Sequence, residues 1–347
     1  MKRTVNAAVV LLALAFGIAW VQAAQQRLAD SLPTQYTDAE FWRMVTDFSE
    51  PDGEFPYENF VSNEINYQVV LPEVTRRVAP GGVYLGVAPE QNFTYVAAIK
   101  PKVAFIFDIR RQNLVELLMY KALFEISPDR EEFVSRLFSR RPTAVIGTSP
   151  SPAELLMAIN AARPDEALHT QTLKAIRDRL TRTHQFRLTA DDLGKIGYIL
   201  SVFYKGGPRM DYAYASRSPN ASVPSFYNLM VATDGRGKNW SFLANEENYR
   251  FVRAMQEKNL IIPIVGDFAG PKAIRAVGRY LRQQQAAVRV FYISNVEDYL
   301  SGNWPDYRAN LASLPLEPTG LFIRFAPQQT LLRSITEVPA RWPGRTW

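Results

Sequence analysis

The chain has 347 residues, 47% hydrophobic and 21% charged, an ordinary globular composition with enough apolar material for a sizeable core. Lys and Arg number 40 against 34 Asp and Glu, a net charge of +6, which falls well short of a nucleic-acid-binding footprint, and no nucleic acid is expected as a partner. Cysteine is absent, which excludes disulfides, thiolate catalysis and Cys-ligated metals. The two histidines, His169 and His184, cannot supply a multi-histidine metal cage.

The N-terminus opens with Lys2 and Arg3, continues through an uncharged apolar run from Ala7 to Trp20, and reaches Val21-Gln22-Ala23. That order predicts a signal peptide over residues 1–23. The apolar stretch, at roughly twenty residues, is also long enough to stay as a membrane anchor with its basic end inside. Either way an exported domain is expected, periplasmic or held at the inner membrane facing the periplasm. Residues 24–37 read as a linker, and 38–347 as one domain.

Asp38-Ala39-Glu40-Phe41-Trp42 has the pattern of a capped helix start, followed by turn formers at Ser49-Glu50-Pro51-Asp52-Gly53. An amphipathic stretch ends near Arg77, and Pro80-Gly81-Gly82 breaks it. A βαβ rhythm follows. Val83 to Val87 is an apolar strand run, Phe93 to Ile99 a short helix, and Val103 to Phe107 a second strand closing on Asp108. Continuous apolar runs of this length suit parallel strands covered on both faces. Helical periodicity then dominates, and a helical insertion is expected over about 112–205, with His184 on its surface. Tyr212 to Pro224 is an aromatic loop. Beyond it the spacing predicts a strand over Tyr227 to Thr233, a helix over Asn245 to Lys258, a strand over Leu260 to Val265 and a helix over Pro271 to Gln284. Val288 to Ile293 is the next strand, and Leu321 to Phe325 a last one suited to an antiparallel edge.

In an open parallel sheet, ligands bind beyond the carboxyl ends of the strands. The groups found there are Gly86 to Asn92, Asp108, Gly266-Asp267 and Ser294-Asn295-Val296-Glu297. Glycine at position 86 lets backbone approach a ligand, and the following helix start offers unpaired N–H groups. Asp108 lies twenty-two residues beyond Gly86, close to the spacing at which an acid closing the second strand binds a ribose hydroxyl. Structural roles are open for each: a tight turn at Gly86, pairing of Asp108 with Arg110 or Arg111, a helix cap at Asp267, and buried hydrogen bonding for Asn63-Glu64 and Glu90-Gln91-Asn92.

The order strand, Gly turn, helix, strand-Asp108, then strand-Asp267 and strand-Ser294-Asn295, resembles the Rossmann-like fold of S-adenosylmethionine-dependent methyltransferases. The blocks Gly82 to Tyr95, Asp108 to Asn113 and Phe291 to Leu300 are similar to a family of uncharacterised bacterial proteins with that fold, over about Phe41 to Phe325. The resemblance implies S-adenosylmethionine as cofactor. It puts Gly86 and Ala88, with Glu90 in the same turn, at the methionine end, Asp108 at the ribose and Asp267 near the adenine. Asn295 or Glu297 would orient an acceptor of unknown identity. The other reading is an exported protein that keeps the fold for binding a small molecule or for scaffolding, without the reaction. A third, metal-assisted hydrolysis, needs Glu64, Glu90, Asp108, Asp267 and Glu297 to converge on Mg²⁺, Mn²⁺ or Ca²⁺.

Overall fold

The buried apolar runs become a central sheet. The computed structural model describes residues 32–142, 147–212, 223–300, 302–326 and 329–335; the expected signal or anchor and part of the aromatic loop lie outside these. Two helices come first, α1 (Asp38–Phe48) and α2 (Leu71–Arg77). α1 starts at a capping box: the Thr37 hydroxyl accepts from Glu40 N while the Glu40 side chain accepts from Thr37 N. Next come β1 (Val83–Val87), α3 (Gln91–Ile99) and β2 (Val103–Asp108). A helical layer follows: α4 (Arg111–Ile126), α5 (Arg130–Phe138), α6 (Pro152–Ala161), α7 (Glu166–Asp178), α8 (Ala190–Gly206), α9 (Phe226–Val231) and α10 (Glu246–Glu257). The chain then returns to the sheet with β3 (Ile261–Val265), α11 (Ala273–Gln283), β4 (Val288–Ser294), α12 (Trp304–Ala312), β5 (Leu316–Ala326) and β6 (Gln329–Ser334).

The six strands lie in the order β3-β2-β1-β4-β5-β6. The first five are parallel to their neighbours, and β6 pairs antiparallel with β5. Every residue of β1, β2 and β3 is buried, so these strands have no solvent face on which polar residues could alternate. Above the sheet, Phe93 of α3 meets Tyr120 and Phe124 of α4 and Phe242 edge-on at 5.2–5.6 Å, an aromatic nucleus that fixes α3 against the helical layer.

Four expectations are corrected. Residues 227–233 are not a strand: Ser225 and Asn228 form a capping box, and Phe226, Leu229 and Met230 bury one helical face. The run at 321–325 belongs to the longer β5, parallel to β4. The antiparallel edge is β6, whose burial is confined largely to Thr330; a solvent-facing edge strand needs no apolar run, so its sequence carries a weak signal. His184 is not a surface residue. Its Nδ1 lies 2.8 Å from Asp38 Oδ1 and its Nε2 2.7 Å from Glu125 Oε2, and its ring stacks on Phe186 at 5.0 Å. Among the described residues, helices run without an intervening strand from Arg111 to Glu257, beyond the expected 112–205.

Candidate functional site

The chain moves outward from β1 to β2 and β3, then crosses back to β4 on the other side of β1. The sheet therefore has its switch point between β1 and β4, where neighbouring crossovers diverge and leave a crevice at the carboxyl edge. A cavity of about 260 Å³ occupies this place, slightly below the usual range of about 300–1,000 Å³ for small-molecule pockets. It is lined by Ala88 after β1, Asp108 at the end of β2, Asp267 after β3, and Ser294 and Asn295 at the end of β4, and the segment from Glu54 to Glu64 covers it.

Four of the seven residues singled out from the sequence line this cavity: Ala88, Asp108, Asp267 and Asn295. Ala88 has φ +64° and Ser294 φ +51°, a left-handed conformation that costs a residue with a Cβ about 1–2 kcal/mol. Asp108 is 6% exposed. Its Oδ1 accepts from Arg110 N at 2.8 Å and lies 3.7 Å from Arg110 Nε. Burial raises its pKa, and the Arg110 charge opposes that rise. Asp267 Oδ1 accepts from Ala269 N at 2.8 Å, closing the turn after β3 rather than capping the next helix. Asn295 Nδ2 donates to Asp298 Oδ2 at 3.2 Å.

The other three serve the fold. At Gly86 a Cβ would overlap Asn92 Oδ1. The missing side chain leaves room for Asn92, whose Nδ2 donates to the carbonyls of Val87, Ala88 and Pro89 at 2.8–2.9 Å. The turn after β1 is thus closed from inside by an amide. Glu90, fully buried at the N-cap position of α3, accepts from Ser62 N through both oxygens at 3.2–3.3 Å. Burial lifts its pKa to about 8. Glu297 faces the opposite way: it pairs with Arg324 of β5 and accepts from Tyr307 OH of α12 at 3.1 Å. The five carboxylates proposed for metal-assisted hydrolysis do not gather, and among the described residues no group of three or more His, Cys, Asp or Glu could hold a metal ion.

Glu64 also lines the cavity, and in the sequence a polar Asn63-Glu64 pair between apolar neighbours marks it. It is 1% exposed. Its Oε1 accepts from Ser294 Oγ, and the Tyr292 hydroxyl lies beside the carboxylate. Its Oε2 has no hydrogen-bond partner. Burial pushes its pKa to about 7, with the Ser294 and Tyr292 hydroxyls acting the other way. A carboxyl group poised near neutrality in a cleft has the titration of a general base.

The outer wall is aromatic. Phe55 packs edge-on against Tyr299 at 5.0 Å and Tyr57 at 5.7 Å, and Tyr57 lies 5.6 Å from Tyr212. Arg110 fastens this wall to the sheet: it donates to Tyr57 O at 2.7 Å, to Glu58 O at 3.0 Å and to Asn59 Oδ1, with its guanidinium over the Phe55 ring. The lining holds four carboxylic residues, Glu54, Glu64, Asp108 and Asp267, and, among the described residues, no Lys, Arg or His. In a chain of net charge +6 this is a local excess of acid, offset at Asp108 by Arg110 behind the wall.

Fold and site together define an α/β protein of mostly parallel sheet with an acidic, aromatic-walled cavity along its carboxyl edge. Residues 59–343 match a domain of unknown function, DUF7790, and the chain belongs to that family. The matched span includes most of the cavity wall and every strand. No curated protein matches the chain.

Proposed function

We propose that this protein binds S-adenosylmethionine in the cavity at the β1/β4 switch point and is a methyltransferase-like protein of Rossmann-like fold. The observation that carries the reading is the acid-rich, cation-free lining among the described residues at a strand order, 3-2-1-4-5, that puts the crevice over β1. The cofactor carries a sulfonium, and when bound it supplies a methyl group activated by that positive charge. Carboxylates and aromatic faces attract such a cation. Asp108 would hold the ribose hydroxyls through the oxygen not engaged by Arg110 N, Asp267 would lie toward the adenine, and Ala88 would line the methionine end. Asn295 would orient the acceptor. Methyl transfer depends mainly on alignment, which a rigid strand edge provides.

The second reading, a binding protein that keeps the fold without the reaction, is favoured by the turn after β1. Its inner space is filled by Asn92 instead of being left open by glycines. The basic, apolar N-terminus supports export or membrane attachment in either case.

Calorimetric titration with S-adenosylmethionine and S-adenosylhomocysteine tests both readings. Micromolar binding is expected, tighter for the sulfonium form. Asp108→Ala should weaken it at least about tenfold, roughly 1.4 kcal/mol, with an unchanged circular-dichroism spectrum. Equal affinity in the variant removes Asp108 from the site. No heat from either ligand removes the cofactor and leaves the binding-protein reading.

A further inference from the structure

Two buried acceptors at the inner end of the cavity lack donors. Glu64 Oε2 has no hydrogen-bond partner, and neither has Gln91 Oε1. Both residues line the cavity, and they are 1% and 2% exposed. They are linked through one tyrosine: Gln91 Nε2 donates to Tyr292 OH at 3.0 Å, and the Tyr292 hydroxyl lies beside the Glu64 carboxylate. Leaving a buried acceptor unpaired costs about 1–3 kcal/mol, more where the group is charged, so two such oxygens mark a place where a donor belongs. The scaffold does not supply it. The groups that face Glu64 from the packed elements are Tyr84 of β1, Tyr95 of α3, and Tyr292 and Ser294 of β4. All are neutral around neutral pH, because burial holds the tyrosines well above their ordinary pKa.

We propose that the inner end of the cavity, between the carboxyl ends of β1 and β4, receives a primary ammonium group of the ligand, held by the Glu64 carboxylate and the Gln91 amide oxygen. An ammonium has three donors and a positive charge, which satisfies both oxygens and compensates the buried carboxylate. A hydroxyl offers one donor and no charge. Ser294 holds the other oxygen of Glu64 and so fixes the direction in which Oε2 points. The inference rests on the cavity proposed above as the ligand site and names what its inner end recognises. The ammonium belongs either to an amine substrate or to the amino-acid end of the cofactor. With an amine substrate, Glu64 can also take its proton: an N–H bond breaks, an O–H bond forms on Oε2, and the lone pair stays on nitrogen.

Ligand-observed NMR on the full chain, comparing n-butylamine with 1-butanol at about pH 8 and pH 5.5, reads this site without any reaction. The amine stays protonated throughout, whereas Glu64 is charged only at the higher pH, since its carboxyl titrates near 7. Expected is at least a tenfold preference for the amine at the higher pH, falling to within about twofold at the lower and in Glu64→Gln. Equal binding of amine and alcohol by the wild-type protein overturns the proposal even if the variant fails to fold. A preference that persists in a folded Glu64→Gln variant also overturns it, because another group of the lining would then be the holder. Addition of S-adenosylmethionine separates the sources. Amine binding that survives supports a substrate amine, and amine displaced from the wild-type site supports the cofactor's own amino group. Amine preference without any cofactor binding leaves this inference standing while the proposed function falls.

Discussion

Glu90 has the environment least suited to its charge among the residues picked out from the sequence. It is fully buried at the start of α3, and desolvation raises its pKa from 4.5 to about 8. In the unfolded chain the carboxyl loses its proton near the ordinary value, while the folded protein keeps it until about 8. Between those two pH values the native state binds more protons than the unfolded state, so this group's contribution to stability falls as pH rises. Glu90→Gln stays neutral and can still accept from Ser62 N. Urea denaturation should find the variant about as stable as wild type near pH 4.5 and more stable by about 1–3 kcal/mol near pH 9. An equal difference at both pH values would mean that the carboxyl titrates normally. Glu64 and Glu116 shift in the same direction for the same reason, burial, and together they give the cavity and the core behind it a set of carboxylic acids able to stay neutral.

Among the elements, α11 depends on a distant residue. Its own N-cap residue, Lys272, makes no side-chain cap bond. Glu50 reaches in instead: its Oε1 accepts from Lys272 N at 2.7 Å and Ala273 N at 2.8 Å, and its Oε2 from Asp267 N at 3.0 Å. A carboxylate there also meets the positive end of the helix dipole. A Cβ at Gly270 would overlap that carboxylate, so glycine is needed for the approach. The turn that carries Asp267 is thereby tied to the loop before the cavity wall. Glu50→Ala should cost about 1–3 kcal/mol in chemical denaturation. Gly270→Ala should cost a similar amount by displacing the same group, and the double variant less than the sum. Fully additive costs would show that the two residues act separately.

For the molecule as a whole, the cluster around His184 joins parts that are distant in sequence. The imidazole bridges Asp38 of α1 and Glu125 of α4. Glu125 also binds Lys121 Nζ at 2.7 Å and lies 3.4 Å from Arg179 Nε, after α7. Beneath it Phe186 stacks between Phe41 and Trp42 at 5.0–5.2 Å. This network fastens the N-terminal helix to the helical layer and, through α1, to β3. Removing the imidazole takes away both of these hydrogen bonds and the ring that stacks on Phe186, and leaves a cavity in the helical layer. His184→Ala should therefore lower the unfolding free energy by about 2–4 kcal/mol, read from denaturation midpoints, whereas a change under about 0.5 kcal/mol would be that of a surface histidine.

The parallel core was legible residue by residue, because a strand covered on both faces must be apolar throughout: Val83–Val87, Val103–Phe107 and Leu260–Val265 are, and Val288–Ile293 is broken only by the partly buried Arg289. The acids closing those runs followed from the same reading, and Asp108 and Asp267 do line the cavity. Where burial is partial, local pattern and final structure part: 226–231 bends into a helix under its Ser225 cap, and β6 pairs at an edge that needs no apolar signal. Contacts across long separations left no trace in the chain. Glu64 meets Ser294 across 230 positions, Gln91 meets Tyr292 across 201, and Glu50 reaches the start of α11 across 223. Sequence pattern determined which segments had to be buried, since burial is a property of each side chain. Which polar groups then came to share the cavity was decided by strand order and by the covering loop, and both exist only once the chain has folded.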